Sequence, residues 1–463
     1  EFRRVLFRSP KEAKEVLKRF WIETPSWAYG NSGTRFKVFA QPGVPRDPYE
    51  KIADAAQVHK FTGAAPSVAL HIPWDKVDDY KHLADYAAEL GVRLGTINSN
   101  TFQDDDYKLG SVCHPDAKIR QKAVDHLYEC IDIMDKTGAK DIKLWFADGT
   151  NYPGQDNLAE RQDRLAESLR KCYDRLGPDQ RMLLEYKFFE PSFYSTDVPD
   201  WGTSYVHCLE LGEKASVCVD TGHHAPGTNI EYIVAFLLRK KRLGAFDFNS
   251  RFYADDDLIV GAADPFQLFR IMHEVNINGG FAVNTPVSYV LDQCHNIEAK
   301  IPGQIRSIMN VQEAVAKAVL VDQTALKAAQ RAGVTYCIEP LSADQTPLVN
   351  TLAQAVAVLQ SVNHPHLRTM LDTSSAGLAE SVPLPALIDQ WFPTGWVAHV
   401  QLNDPNRRGP GQGTMAFGPI LAALQRQGYT GPLAVEPFDY VPDGLGCAAR
   451  AAGYLQGLWE QMQ

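Results

Sequence analysis

The residues able to do chemistry in this 463-residue chain form a short series. Glu185 and Lys187 stand two apart in LLEYKFF, and Asp220 and His223 three apart in VDTGHH. Asp247 lies between two phenylalanines in AFDFN, Asp255, Asp256 and Asp257 run consecutively in YADDD, and Asp292 follows in VLDQC. His71 and Trp145 end the apolar runs SVALH and DIKLW. Carboxylates with some imidazole make an oxygen-rich donor set that suits Mn²⁺, Mg²⁺ or Co²⁺ better than a thiolate-seeking metal. The spacing in VDTGHH lets Asp220 take one ion from a strand end while His223 takes a neighbouring ion from the following loop, where the aspartate run adds ligands. Two ions sharing a carboxylate such as Glu185 would polarise both oxygens of a hydroxy-carbonyl unit. Lys187, held beside the cations, could donate a proton or hydrogen bond to a developing alkoxide.

Taken singly, most of these residues have plainer uses. A strand-end aspartate commonly caps the next helix, an aspartate run is commonly a solvated loop, and His71 or Trp145 can simply pack. Lys187 resists such a reading, because an inward lysine needs a partner. The common feature is position. From about residue 10, short apolar strand signals alternate with amphipathic helical ones, giving about eight β/α units before residue 300. This alternation predicts an α/β chain folded as a (β/α)₈ TIM barrel rather than an open doubly wound sheet. No G-x-G-x-x-G or P-loop follows any strand signal, so no phosphate cradle supports the nucleotide-binding alternative. In such a barrel the active site sits at the C-terminal strand ends, which is where His71, Asn98, Trp145, Asp148, Glu185, Asp220, Asp247 and Asp292 fall. Strand parity puts Glu185 and Lys187 on one face, and Asp247 and Asn249 likewise, leaving Phe246 and Phe248 to point out to the helices.

The bulk properties exclude other classes. A formal charge of −10 and the absence of a basic patch argue against nucleic acid as a partner. No run of about 18 apolar residues predicts a membrane helix. The 8 cysteines are scattered without a C-x-x-C pair, as expected for reduced thiols in a cytoplasmic protein. The opening EFRRVLFRS matches no element, and residues 1–9 are expected to be a non-native segment outside the fold.

Residues from about 20 to 330 resemble L-rhamnose isomerase of the broad-specificity bacterial type. The matching stretches include ETPSWAYGNSGTRFKVF, APSVALHIPWDKVDDY, NTFQDDDYKLGS, LWFADGTNYPGQD, VDTGHHAPGTNIE, FYADDDLIVGA and LDQCHN. The resemblance implies an aldose–ketose isomerase acting on L-rhamnose and L-rhamnulose, with two divalent ions per barrel, usually Mn²⁺, bound to O1 and O2 of the sugar. It implies that Glu185 bridges the ions, that Asp220, Asp292 and position 247 hold a structural ion, and that His223, Asp255 and Asp257 hold a catalytic one. Lys187, Asp257, His71 and Trp145 are then the catalytic and substrate-contacting group, with Asp256 facing water. In the family pattern position 247 is a histidine, whereas this chain carries Asp247, which is shorter and adds a negative charge. The resemblance therefore implies a structural ion held loosely or with altered geometry.

Residues 333–463 resemble instead the C-terminal half of a sugar-phosphate isomerase/epimerase barrel, of the type related to tagatose 3-epimerase and hydroxypyruvate isomerase. The stretches are VTYCIEPLSADQTPLVNT, MLDTSSAG, VAHVQLNDPNRRGPGQG and LAVEPFDYVPDG. This implies Glu339, Asp372, His399 and Glu436 as four metal ligands, with Glu339 and Glu436 as an acid/base pair for ketose 3-epimerisation. DTSSAG has serines where that pattern places a histidine. The expected organisation is a barrel over 10–330 and a half-barrel over 333–463, joined without a linker as in a chimera of two sources. The tail replaces the C-terminal segment that the isomerase family carries, which bears on packing and on formation of the family's homo-tetramer; a sugar- or metal-binding chimera, catalytically impaired by Asp247 and the appended fragment, is the alternative expectation.

Overall fold

The computed structural model describes residues 10–34, 37–188, 195–294, 297–331 and 333–462, so the expectation for residues 1–9 lies outside the described residues. Eight strands carry the barrel: β1 (Glu23–Pro25), β2 (Ser67–Ile72), β3 (Arg93–Ser99), β4 (Asp141–Leu144), β5 (Arg181–Glu185), β6 (Ala215–Asp220), β7 (Leu243–Phe248) and β8 (Ser288–Leu291). They pair in sequence order, every pair parallel, and β1 closes on β8. A helix follows each strand: α1 (Pro48–Thr62), α2 (Tyr80–Glu89), α3 (Ala117–Thr137), α4 (Leu158–Arg175), α5 (Trp201–Leu211), α6 (Ile230–Arg239), α7 (Pro265–Ile277) and α8 (Lys300–Leu320). The predicted (β/α)₈ barrel is the fold of this part of the chain.

Local sequence accounts for the element boundaries. Every barrel helix except α8 starts on a side-chain cap: for example, Asp47 accepts from the Glu50 amide, Asp79 from His82, Asn157 from Ala159 and Glu160, and Asp200 from Thr203. Gly63 and Gly138 end α1 and α3 in left-handed conformations, with φ of 64° and 76°, which glycine adopts without strain. β2, β6 and β7 are buried along their whole length, as expected for strands covered on both faces.

The two faces of β7 have different work. Phe246 and Phe248 point into the helix layer, where their rings stack 4.8 Å apart and continue onto Tyr289. Inside the barrel, Leu183, Cys218 and Ala245 form a separate small apolar cluster on β5, β6 and β7. Two residues further along each of these strands come Glu185, Asp220 and Asp247. The acidic residues therefore lie one pleat above an apolar layer.

The chain divides into two compact units at 321/322, just after α8 ends. The helix Gln323–Arg331 thus belongs to the second unit. That unit contains β9 (Tyr336–Ile338), β10 (Leu367–Asp372), β11 (Val397–Gln401) and β12 (Leu433–Ala434), an open, all-parallel sheet in sequence order. Its own core gathers Leu371, Leu387, Ile388, Val400, Phe417, Ile420 and Leu424. Among the described residues no helix is long and apolar enough to cross a membrane.

Phe246→Ala should lower barrel stability by about 3–5 kcal/mol in denaturant unfolding, because its ring is fully buried in the stack. Tyr253→Ala, at a position 93% exposed, should stay within about 0.5 kcal/mol of the parent.

Candidate metal centre

The strand ends converge on a dry cluster of acids. Glu185, at the end of β5, belongs to three groups whose ligand atoms all lie within 4.8 Å of one another, one of them with Cys218 and Asp247 and the other two built without a thiol. Of the two without a thiol, the first is Glu185, Asp220 and His223 and the second is Glu185, Asp220, Asp247 and Asp292. Register explains the second, because Asp220 and Asp247 are direct partners across β6 and β7.

In the histidine group, His223 Nδ1 lies 3.1 Å from Glu185 Oε1 and 3.1 Å from the Tyr186 carbonyl, and its Nε2 lies 3.2 Å from Asp255 Oδ2. Burial lowers the pKa of the imidazole, but Asp220 and Asp255 outweigh it and hold His223 well above its ordinary value. Burial pushes Asp255 up, but His223 and then Lys187, which donates to the same Oδ2, override it and hold the carboxyl well below the usual range. Asp220 is raised well above its ordinary value, by burial first and by Asp255, Glu185 and Asp292, with His223 opposing. It accepts from the Gly222 amide at 2.6 Å and from Asn249 Nδ2 at 3.0 Å to each oxygen.

The carboxylate group holds the main surprise. Asp247 does face the barrel interior, but Lys143 on β4 donates to both of its oxygens at 2.5 Å. Both side chains are almost fully buried. Burial lifts Asp247 to about 6 against the pull of Lys143. Asp292 also rises to about 6, through burial and then Asp247, although Trp27 Nε1 donates to it at 2.9 Å.

One wall of the mouth is aromatic. His71 stacks on Trp74 at 3.8 Å, with Trp27 and Phe102 edge-on to it. Phe102 meets Trp145 edge-on at 4.9 Å, and the Lys187 ammonium lies 5.5 Å from the Trp145 ring centre. Burial, with Lys143 adding to it, keeps the His71 imidazole well below its ordinary pKa and therefore neutral. Its Nδ1 and the Nε1 of Trp145 are buried polar atoms without a hydrogen-bond partner.

The donor set fits a divalent cation. Asn249 Oδ1 and Asp255 Oδ1 are buried acceptors with no donor. Both face Gly222, where a Cβ would lie 2.4 Å from the first and 3.0 Å from the second. Two buried acceptor oxygens beside an acidic cluster are a cost that a cation would remove.

Several expectations change in the structure. Asp256 is half-buried rather than facing water: its Oδ2 accepts from the Phe252 and Tyr253 amides and fastens the loop that presents Asp255. Asp257 has φ of 47° and is raised by burial and by Asp255 and Asp292, yet among the described residues it joins no close donor group. Asp148 is a buried loop anchor, accepting from the Ser111 amide and hydroxyl at 2.7 Å and the Cys113 amide at 2.9 Å. In the tail, pairing puts Glu339, Asp372, His399 and Glu436 on one face of the sheet. Among the described residues, however, no close donor group contains them. Asp372 caps the following helix, and His399 pairs with Met370 two residues before the strand end, so the four stand at different heights. Lys143 and Trp27 escaped the sequence reading; the one available signal for Lys143 was its place two residues before Trp145, on the same strand face.

Comparison with known proteins identifies the family. The xylose isomerase-like TIM barrel model matches residues 53–311 and again 289–458. The chain belongs to the xylose isomerase-like TIM barrel family. Within it, the chain is 43% identical over 319 residues to a probable sugar isomerase of Rhizobium meliloti (strain 1021), covering 68% of this chain and 74% of that protein. A probable sugar isomerase of Mesorhizobium japonicum is also 43% identical, over 320 residues with the same coverage. A D-psicose 3-epimerase of Ruminiclostridium cellulolyticum is 30% identical over 112 residues, 24% of this chain and 37% of that protein.

Two outcomes follow. Gly222→Ala should weaken Mn²⁺ binding by about 10–100-fold, measured calorimetrically, because its Cβ would displace Asn249 and Asp255. The pH dependence has a definite sign. Asp247 and Asp292 are raised from 3.8 to about 6, so the stability they contribute to the metal-free fold is complete below about 3.8 and lost as pH rises through about 6. Protons compete with cations for the same oxygens. Added Mn²⁺ should therefore raise Tm more at pH 7.5 than at pH 5 in parallel thermal melts.

Proposed function

We propose that the barrel is a divalent-metal-dependent aldose–ketose isomerase that interconverts L-rhamnose and L-rhamnulose, with Mn²⁺ as its ion. The observation that carries this reading is Glu185, which offers oxygens to both donor groups at the mouth of the barrel and so can bridge two cations. Glu185, Asp220, His223 and Asp255 would hold one ion, and Glu185, Asp220 and Asp292 the other. When bound, the ions supply Lewis-acid polarisation of two adjacent sugar oxygens. The names of two relatives matched over 68% of the chain, both probable sugar isomerases, support the reaction class. The resemblance along residues 20–330 supports the choice of sugar.

The protein's own groups then have distinct tasks. Isomerisation moves a hydrogen between C2 and C1 and a proton between O2 and O1, with no net change in composition. Lys187, fixed by Asp255 and lying near the Trp145 ring, is placed to give and take back the proton on a sugar oxygen at the reacting end. The neutral His71 offers Nδ1, and Trp145 offers Nε1, as unpartnered groups for sugar hydroxyls. Trp74 and Phe102 present apolar surface for the C–H faces of the sugar and exclude water from the wall.

Conversion of L-rhamnose to L-rhamnulose should be abolished by chelation and restored by Mn²⁺. Lys187→Met should lower kcat by about 10²–10⁴-fold while Mn²⁺ remains bound. A folded, Mn²⁺-loaded sample without turnover would overturn the proposal.

A further inference from the structure

Resting on the reading of this mouth as a metal centre, we propose that Lys143 converts Asp247 from a metal ligand into the counter-ion of a buried ammonium, so that the carboxylate group binds its cation more weakly than the histidine group. Both Asp247 oxygens are taken by Lys143 at 2.5 Å, which leaves the carboxylate no free direction for a short cation bond without breaking a buried pair. The ammonium also stands close enough to Glu185 and Asp292 for their charges to act on it. It therefore compensates in part the same carboxylates that a divalent ion would compensate. A fixed positive charge at such a distance opposes a second cation strongly where water is excluded.

The pair is a built feature of the fold. Lys143 reaches inward from β4 and Asp247 from β7, each less than 3% exposed, and Trp27 lies 5.9 Å from the ammonium. Trp27 also donates to Asp292, so the lysine, the tryptophan and two of the four carboxylates form one contiguous assembly. Removing either charge alone would strand the other in a dry interior. In the histidine group Lys187 takes only Oδ2 of Asp255 and leaves Oδ1 unpartnered, whereas Lys143 takes both oxygens of Asp247, so the histidine group keeps an acceptor free for a cation.

The test is Mn²⁺ binding to the chelator-stripped full chain, with sites resolved by calorimetry and free Mn²⁺ counted by electron paramagnetic resonance. The parent should show one tight class of site and a second class at least about tenfold weaker. In Lys143→Met the weak class should tighten by about tenfold or more, because Asp247 is released and the opposing charge is gone. The double variant Lys143→Met with Asp247→Asn, which removes the pair without stranding a charge, should keep the weak class within about threefold of the parent. It also serves if Lys143→Met fails to fold. Two equal classes in the parent, a weak class unchanged or weakened in Lys143→Met, or its loss in the double variant would overturn the proposal. Absence of any Mn²⁺ binding to the parent would instead overturn the metal-centre reading on which it rests.

Discussion

The constraint on which this structure depends is charge balance in a space without water. Glu185, Asp220, Asp247, Asp255, Asp257 and Asp292 are gathered from four adjacent strands and their loops into the mouth of the barrel. Like charges repel strongly there, and each carboxylate has also lost its hydration. Two ammonium groups, Lys143 and Lys187, and the imidazole of His223 answer that burden. They do not cover it, since six acids face at most three positive groups. The remainder must be met by protons or cations, so affinity for a divalent ion and sensitivity to pH share one physical origin.

The scaffold holds these groups from outside as well as within. The strands that present acids to the interior are pinned on their outer faces, as in the Phe246–Phe248–Tyr289 stack against the helices. Buried ion pairs fasten the loops that carry the mouth. Asp75 accepts from Lys51 at 2.6 Å and from the His71 amide at 2.8 Å. Arg161 forks onto Asp197 at 2.7 Å and onto Asp156 at 2.8 Å, while Asp148 gathers the 111–113 segment. A site that must hold several like charges at fixed spacing needs neighbours that cannot relax.

The second unit shows what closure contributes. Its four acidic and imidazole candidates share one face of a parallel sheet, yet they form no donor cluster among the described residues. In a closed barrel the curvature of the sheet turns strand ends toward a common axis, whereas four strands in an open sheet leave the same residues side by side.

The alternation of strand and helix signals, the inward parity of Asp247 and the outward parity of its flanking phenylalanines were legible in the sequence, because period-two and 3.6-residue patterns are local properties. So was the clustering of acids at strand ends, which follows from where a barrel opens. Three features were not legible: the partner of Asp247, the loop-fastening role of Asp256, and the different heights of the tail residues along their strands. Lys143 and Asp247 are 104 residues apart and meet because β4 and β7, separated by two strands in the closed barrel, both turn these side chains inward. Nothing in DIKLW or AFDFN states that distance. The sequence by itself determined which residues face inward and that they are mostly acids. Only the tertiary structure decided which charges neutralise one another, because charge pairing depends on separation in space and on exclusion of water, and neither is encoded in any local stretch.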